Sequence, residues 1–205
     1  MSMILTGTVK TAGVYEVAGK DGTKKPMISF SVADGLANIY PCQMWPDDPQ
    51  FANLAKVIES YRRHQVQLKV VSYTTRMRTF KTTGKVEPWA NFLVSEVTLP
   101  AADSQLEATF AGTAKSGNVG RPDGKKPYIW LNACNELGTT FACRMWSDDP
   151  QFSEVAAQVD GGVHHRPVQF LVASYSLNER TFKGQTNVQL SLNISDVSFP
   201  ALARA

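Results

Sequence analysis

Short runs in the first hundred residues alternate between apolar and polar positions. In Met27–Ala33, Ile28, Phe30 and Val32 fall on one side and Met27, Ser29 and Ser31 on the other, which is the pattern of a half-buried strand. Leu5–Thr11, Ile39–Trp45, Val66–Tyr73 and Trp89–Leu99 also read as strands, the fourth run with Val66, Leu68 and Val70 on one side. Between the third and fourth strands the period changes. In DDPQFANLAKVI, Asp48 is placed to cap a helix, Pro49 suits its first position, and Phe51, Leu54, Ala55 and Ile58 make an apolar stripe. The order is strand, strand, strand, helix, strand, strand.

That order then repeats. CQMWPDDPQF (Cys42–Phe51) returns as CRMWSDDPQF (Cys143–Phe152), 101 residues later with eight of ten letters identical. TGTVKTAG (Thr6–Gly13) returns as AGTAKSGN (Ala111–Asn118), DGTKKPMI (Asp21–Ile28) as DGKKPYI (Asp123–Ile129), SYTTRMRTFK (Ser72–Lys81) as SYSLNERTFK (Ser174–Lys183), and SEVTLP (Ser95–Pro100) as SDVSFP (Ser195–Pro200). The chain therefore reads as one domain duplicated, 1–100 and 101–205, joined at the polar stretch Pro100–Gln105. The period is too long for a solenoid, whose units run about 20–50 residues. Strands of the second copy are expected at Tyr128–Ala133, Phe141–Trp146, Val168–Tyr175 and Val188–Phe199. Its helix reads as the weaker of the two and is ended by GGVHH (Gly161–His165). Five strands with a helix between the third and fourth are the layout of the OB barrel. The fold class expected is all-β with one short helix per copy, two tandem five-stranded OB-fold barrels, each plugged by its helix.

Parity assigns faces to the third strand. Tyr40, Cys42 and Met44 share one side, as do Phe141, Cys143 and Met145, and both sets are apolar and suited to a core. Gln43 with Trp45, and Arg144 with Trp146, take the opposite side. A polar or charged side chain does not sit unpaired in a core, so these are expected to face outward. Tyr128 and Trp130 on the second strand of the second copy join them. Aromatic rings beside arginine and lysine suit a single-stranded nucleic acid, because every base has a face to stack and phosphates need neutralising. Packing of the same aromatics in a subunit interface is the competing reading.

The fourth-to-fifth-strand connection, which OB barrels use on oligonucleotides, holds Arg76, Arg78, Phe80 and Lys81 in the first copy and Arg180, Phe182 and Lys183 in the second. In the second copy Asn178 replaces the first arginine and Glu179 adds an opposing charge, so its loop is expected to bind more weakly. An ordinary solvated hairpin is the alternative. Lys24, Lys25, Lys125 and Lys126 follow Asp-Gly turns before the second strand of each copy; they are phosphate candidates, with a solvated turn the stronger alternative. Trp89 has Gln189 as its counterpart, and is either a stacking residue of the first copy or interface packing.

Composition narrows the setting. Hydrophobic residues make up 43% and charged residues 19%, and the formal charge is +3. A packed core is expected, and the charge alone points only faintly to a polyanion. The three cysteines, Cys42, Cys134 and Cys143, contain no CxxC pair, which disfavours a disulfide framework or zinc ribbon and suits a reducing cytoplasm. Neither a signal peptide nor a membrane-spanning run is expected. Asp47-Asp48 and Asp148-Asp149 read as helix-start residues, His164-His165 is poorly disposed to hold a metal, and no phosphate-loop or hydrolase motif occurs. No catalytic residue, metal, cofactor or small-molecule substrate is expected.

Taken together, LTGTVK, PMISFSVAD, NIYPCQMW, the helix, VQLKVVSYTTRMRTFK and the terminal SEVTLP resemble the bacterial single-stranded-DNA-binding protein family, and do so in both copies. Members carry a glycine in the first strand, a third strand ending Pro/Arg-Cys-x-x-Trp/Phe, and an Arg-x-Arg-x-aromatic segment after the fourth. The resemblance implies a nucleic-acid role for Arg76, Arg78, Phe80, Arg180 and Phe182. It further implies a homodimer supplying four barrels, and protection of single strands in replication, recombination or repair, nucleoid-associated in a bacterial cytoplasm. Members also end in an acidic tail that recruits partner enzymes. The sequence here ends SFPALARA, so a general hub role is not expected. The expectation is sequence-tolerant binding of single-stranded DNA. Its rivals are an OB-fold protein-interaction module, single-stranded RNA binding and, more remotely, an aspartate-dependent nuclease.

Overall fold

The computed structural model describes residues 2–19, 22–80, 82–182 and 184–201, the side chain of residue 182 excepted. Five strands and one helix come from each sequence copy: β1 (Met3–Ala18), β2 (Lys24–Ala33), β3 (Ile39–Met44), α1 (Phe51–Val57), β4 (Gln65–Thr79) and β5 (Val86–Thr98), then β6 (Ala108–Gly120), β7 (Tyr128–Cys134), β8 (Thr140–Trp146), α2 (Phe152–Asp160), β9 (Pro167–Phe182) and β10 (Gln185–Ser198). The first copy orders its strands β2-β3-β5-β4-β1 and closes through β1–β2; the second runs β7-β8-β10-β9-β6 and closes through β6–β7. In each, the third and fifth strands run parallel, with Cys42 opposite Phe92 and Cys143 opposite Leu192. These are two tandem OB folds, all-β apart from their short helices.

The first strand of each barrel has two partners and must bend between them. β6 pairs with β9 over Thr109–Thr113 and with β7 over Thr113–Gly120, and a bulge interrupts the ladder between Ala114 and Ser116. The matching bulge in β1 lies between Val9 and Thr11. An extra residue bends and twists a strand locally, which turns it from one partner toward the other. Glycine is required just before this bend. A Cβ on Gly7 would lie 2.4 Å from the Ala33 carbonyl oxygen, and one on Gly112 would lie 2.4 Å from that of Cys134.

Parity of the third strand holds for the core. Tyr40, Cys42 and Met44, and Phe141, Cys143 and Met145, are all buried. Burial pushes the Cys42 and Cys143 thiols up, far from the thiolate form. The Tyr40 hydroxyl donates to Asp34 Oδ2 at 3.1 Å, and Asp34 also accepts from the backbone N–H groups of Leu36 and Asn38. In the second barrel Phe141 has no hydroxyl, and Asn135 replaces the aspartate while still accepting from Leu137 and Thr139. Where the phenol is lost, the carboxylate is lost with it.

Both helices begin later than the sequence suggests. α1 is preceded by Gln50, not capped by Asp48, and Pro49 lies before it. Asp48 Oδ1 instead accepts from the Gln50 N–H at 2.9 Å, and Asp149 does the same for Gln151. The two glutamines face the other way: Gln50 Oε1 accepts from Val97 N–H, and Gln151 Oε1 from Val197 N–H. Each ties its helix start to the end of the last strand. The second helix is not the weaker: α2 has nine residues, whereas α1 has seven and gives way to a 3-10 turn at Ile58–Tyr61.

The fourth and fifth strands of the first copy reach well past their barrel. One compact unit comprises Ile4–Thr74 with Ala90–Ala108; the other comprises Met1–Met3, Thr75–Trp89 and Thr109–Ala205. Within the latter, Thr75 Oγ1 donates to the Val188 carbonyl at 2.7 Å.

Candidate nucleic-acid interface

In the unit built from Ile4–Thr74 and Ala90–Ala108, the outer side of β3 is less open than parity suggests. Trp45 is half-buried and Gln43 is only 7% exposed. Gln43 was expected to face solvent. It stands opposite Leu93 on β5, and a shallow cleft of about 230 Å³ groups it with Trp45, Val71 and Leu93. Apolar neighbours on the same side remove the amide from water. Lys24 and Lys25 are exposed, but they open β2 opposite Ala18 and Val17 instead of lying in a turn. Lys24 Nζ lies 3.4 Å from Glu16 Oε2.

The other unit carries the aromatic groups. Within it, β7 and β8 pair Tyr128 with Trp146 and Trp130 with Arg144. Tyr128 and Trp146 meet edge to face, with ring centroids 5.9 Å apart, and the Arg144 guanidinium lies 5.3 Å and 5.1 Å from those centroids. Trp146 is 36% exposed, while Tyr128, Trp130 and Arg144 are half-buried. Arg144 Nε is buried and has no hydrogen-bond partner. A buried donor left unsatisfied costs its desolvation, so packing between the two rings holds this arginine in place at some expense.

A second arginine–aromatic cluster lies on the β4–β5 hairpin. Arg76 and Arg78 were expected in a loop. They lie instead on β4, which continues to Thr79, and both are exposed. The turn is tight: Phe80 N–H donates to the Lys85 carbonyl at 2.8 Å, Gly84 N–H donates to the Phe80 carbonyl at 2.7 Å, and Gly84 has φ +69°. Alternation puts Arg76, Arg78 and Phe80 on one side. The Arg78 guanidinium sits 4.4 Å from the Trp89 ring centroid and 5.2 Å from that of Phe80, and the two rings meet edge to face at 5.6 Å. Trp89 thus belongs to this basic–aromatic group. An open cleft of about 520 Å³ follows Arg76–Phe80 and Thr82.

The equivalent hairpin of the second copy is built differently. Arg180 is exposed and stands opposite Asn187, and Asn178 stands opposite Gln189, where the first hairpin has Trp89. Arg180, Asn178, Glu179 and Gln189 join Asn118, Trp130, Arg144 and Ser191 around a groove of about 440 Å³. Asn118, Gln189 and Ser191 were not among the expected site residues, although alternation along β10 puts Gln189 and Ser191 on one side. Lys81 and Lys183 lie outside the described residues, as does the Phe182 side chain.

Two remaining candidates have other partners or settings. Lys126 Nζ lies 2.5 Å from Asp148 Oδ2, and this contact holds the Asp148 carboxyl below the usual carboxylate range. Lys125 is exposed in the turn before β7. Asp48 is shifted the other way: burial raises it, the Gln50 N–H partly offsets this, and the neighbouring Asp47 charge adds to the rise. The His164 and His165 rings lie 3.8 Å apart, with His164 Nδ1 against the Lys115 carbonyl. Among the described residues, no three His, Cys, Asp or Glu side chains are placed to hold a metal ion.

No protein-family model matches the chain, and no curated protein matches it in sequence. Solved structures do match in fold. The wild-type single-stranded DNA binding protein from Thermus aquaticus superposes with a TM-score of 0.53 at 10% identity, over 99% of this chain and 94% of that one. A deletion mutant of the same protein gives 0.52 at 10% identity, over 99% and 95%. At this identity the likeness is one of fold, and it spans both OB folds in tandem.

Proposed function

We propose that this protein binds single-stranded DNA with little dependence on sequence and performs no catalysis. The observation that carries the reading is the doubled arginine–aromatic cluster: Arg78 over Trp89 and Phe80, and Arg144 beside Tyr128 and Trp146. Each cluster offers a ring for a base and a guanidinium for the adjoining phosphate. Stacking contributes roughly 1–3 kcal/mol per base and tolerates any base. Phosphate contacts release condensed counterions, which makes binding fall with salt. The rings are held by cross-strand partners, so little ordering is required when DNA arrives. The Thermus aquaticus structures add support, since proteins of this fold arrangement are named there for binding single-stranded DNA.

In this reading Arg76, Arg180, Lys24, Lys25 and Lys125 extend the phosphate contacts and Trp130 adds a stacking surface. Two chains pair to present four barrels, and the cellular role is protection of single strands in replication, recombination or repair within the cytoplasm. Linking two barrels raises the effective concentration of the second on a strand held by the first.

The test is a titration with oligo(dT) at low and high salt, following intrinsic tryptophan fluorescence. The expected result is strong quenching that weakens as salt rises. Absence of quenching, together with no retardation of the oligonucleotide at low salt, would overturn the proposal.

A further inference from the structure

The β4–β5 hairpin is encoded in the first copy but belongs structurally with the second. Its residues Thr75–Trp89 form one compact unit with Thr109–Ala205, whereas β4 up to Thr74 belongs with the first barrel. A direct tie holds the hairpin there: Thr75 Oγ1 donates to the Val188 carbonyl on β10 at 2.7 Å. Alternation along β4 sets the two sides of the hairpin apart. Thr75 and Met77 are half-buried, whereas Arg76 and Arg78 are exposed. The tie is peculiar to the first copy, because Leu177 stands where the first copy has Thr75 and offers no hydroxyl.

This placement puts both arginine–aromatic clusters in one unit. Val188 is followed on β10 by Gln189, which lines the groove with Trp130 and Arg144. Thr75 is followed on β4 by Arg76, and Arg78, the arginine over Trp89 and Phe80, stands about 10 Å along the strand from Thr75. The hairpin cluster and the groove thus start from the two ends of one hydrogen bond. That spacing is short against the ~4–16 nucleotides that one OB fold covers. In the other unit Trp45 is half-buried and Gln43 is 7% exposed, so the first barrel offers a strand less to hold.

We infer that the first copy's hairpin completes the DNA site of the second barrel, giving one tight single-strand site per chain rather than one per copy. The inference rests on the proposed binding of single-stranded DNA and assigns it to residues of both copies acting on one strand. Arg78 and Trp89 take one part of that strand, and Trp130, Arg144 and Trp146 take the next. Thr75 is a positioning residue: it fixes the hairpin and touches no DNA itself. The first barrel joins only on longer strands already held by this site, where linkage supplies the effective concentration.

The experiment is isothermal titration calorimetry of the full chain with oligo(dT) in a length series of ~4–16 nucleotides, reading the number of strands bound per chain for the shortest member that binds. The expected result is one strand per chain. Trp89→Ala in the first copy and Trp146→Ala in the second should each weaken that same event about fivefold or more, the lower end for one lost stacking partner. Thr75→Val should also weaken it. In that background Trp89→Ala should cost less, because the hairpin is no longer held to the site. Two equivalent strands per chain, or a short strand bound equally well by Trp89→Ala, overturns the composite site while leaving DNA binding intact. Binding confined to strands longer than the series does the same. No binding of oligo(dT) at any length sinks the function beneath it.

Discussion

The two barrels keep the same interior and present different exteriors. Cys42 and Cys143, Met44 and Met145, and Leu68 and Phe170 are all buried. On the outer side, Met27, Ser29, Gln43 and Trp45 of the first copy answer to Tyr128, Trp130, Arg144 and Trp146 of the second. The hairpins differ in the opposite sense: Arg78, Phe80 and Trp89 form a cluster in the first, whereas Gln189 replaces the tryptophan in the second. Each copy therefore carries one arginine–aromatic cluster, at a different place on the same fold. Interior positions are constrained on every side by close packing, where one methylene is felt. An outer face is constrained only by what it binds, so a duplicated pair can divide the work there.

The largest expected effect tests the shared interior. Gly7→Val and Gly112→Val each drive a side chain into a backbone carbonyl 2.4 Å from the Cβ position. Each should destabilise its barrel by about 3 kcal/mol, the upper end for forced overpacking, as measured by urea unfolding. A large loss at one glycine and none at the other would mean that the two barrels are not built alike where β1 and β6 bend.

Next comes the division of the exterior. Trp146→Ala should cost about 1–3 kcal/mol of oligo(dT) affinity. Trp45→Ala should cost less, because Trp45 is half-buried in a cleft with Val71 and Leu93 and, among the described residues, no arginine lies over its ring. Equal losses would show that the first outer face also stacks bases. A smaller effect separates the hairpins. Arg78→Ala should lower the slope of log affinity against log salt by about one, as expected for one lost phosphate contact. Arg180→Ala should lower it less, since Glu179 already offsets part of its charge.

How much of this could be read from letters follows the same divide. Strand patterns located nine of the ten strands, β6 being implied only by the return of TGTVKTAG as AGTAKSGN, and parity gave the buried faces of β3 and β8, because a period of two is imposed by the backbone itself. Strand ends were read too short: β4 and β9 run on through the Arg-Thr pairs to Thr79 and Phe182. Polar hairpin arms lack the apolar alternation by which strands are recognised, and only their cross-strand ladder keeps them extended. Gln43 was assigned outward from its polarity, but its exposure depends on Val71 and Leu93 on neighbouring strands, which sequence order does not place beside it. The glutamine ties at Gln50 and Gln151 were missed because Asp48 and Asp149 offer a more familiar cap in the same stretch. The groove beside Arg144 joins β6 through β10, and no local spacing marks such a convergence.

The smallest effect bears on whether Lys126 is free for phosphate. Its ammonium lies 2.5 Å from Asp148, whose carboxyl is held low chiefly by that hydrogen bond. A carboxyl with a depressed folded-state pKa contributes stability above its unfolded pKa, and that contribution fades as pH falls through the depressed value. Both groups are well exposed, and surface pairs of this kind scarcely change stability, so the readout is titration rather than melting. Lys126→Ala should move the Asp148 midpoint, followed by carboxyl carbon NMR, up toward the ordinary aspartate value. Added oligo(dT) distinguishes the two uses of the lysine. If DNA leaves the Asp148 midpoint low, Lys126 stays with its aspartate and the phosphate role in this turn falls to Lys125. If DNA raises the midpoint as the mutation does, Lys126 exchanges the carboxylate for phosphate, and the aspartate serves to hold the lysine in place until the strand arrives.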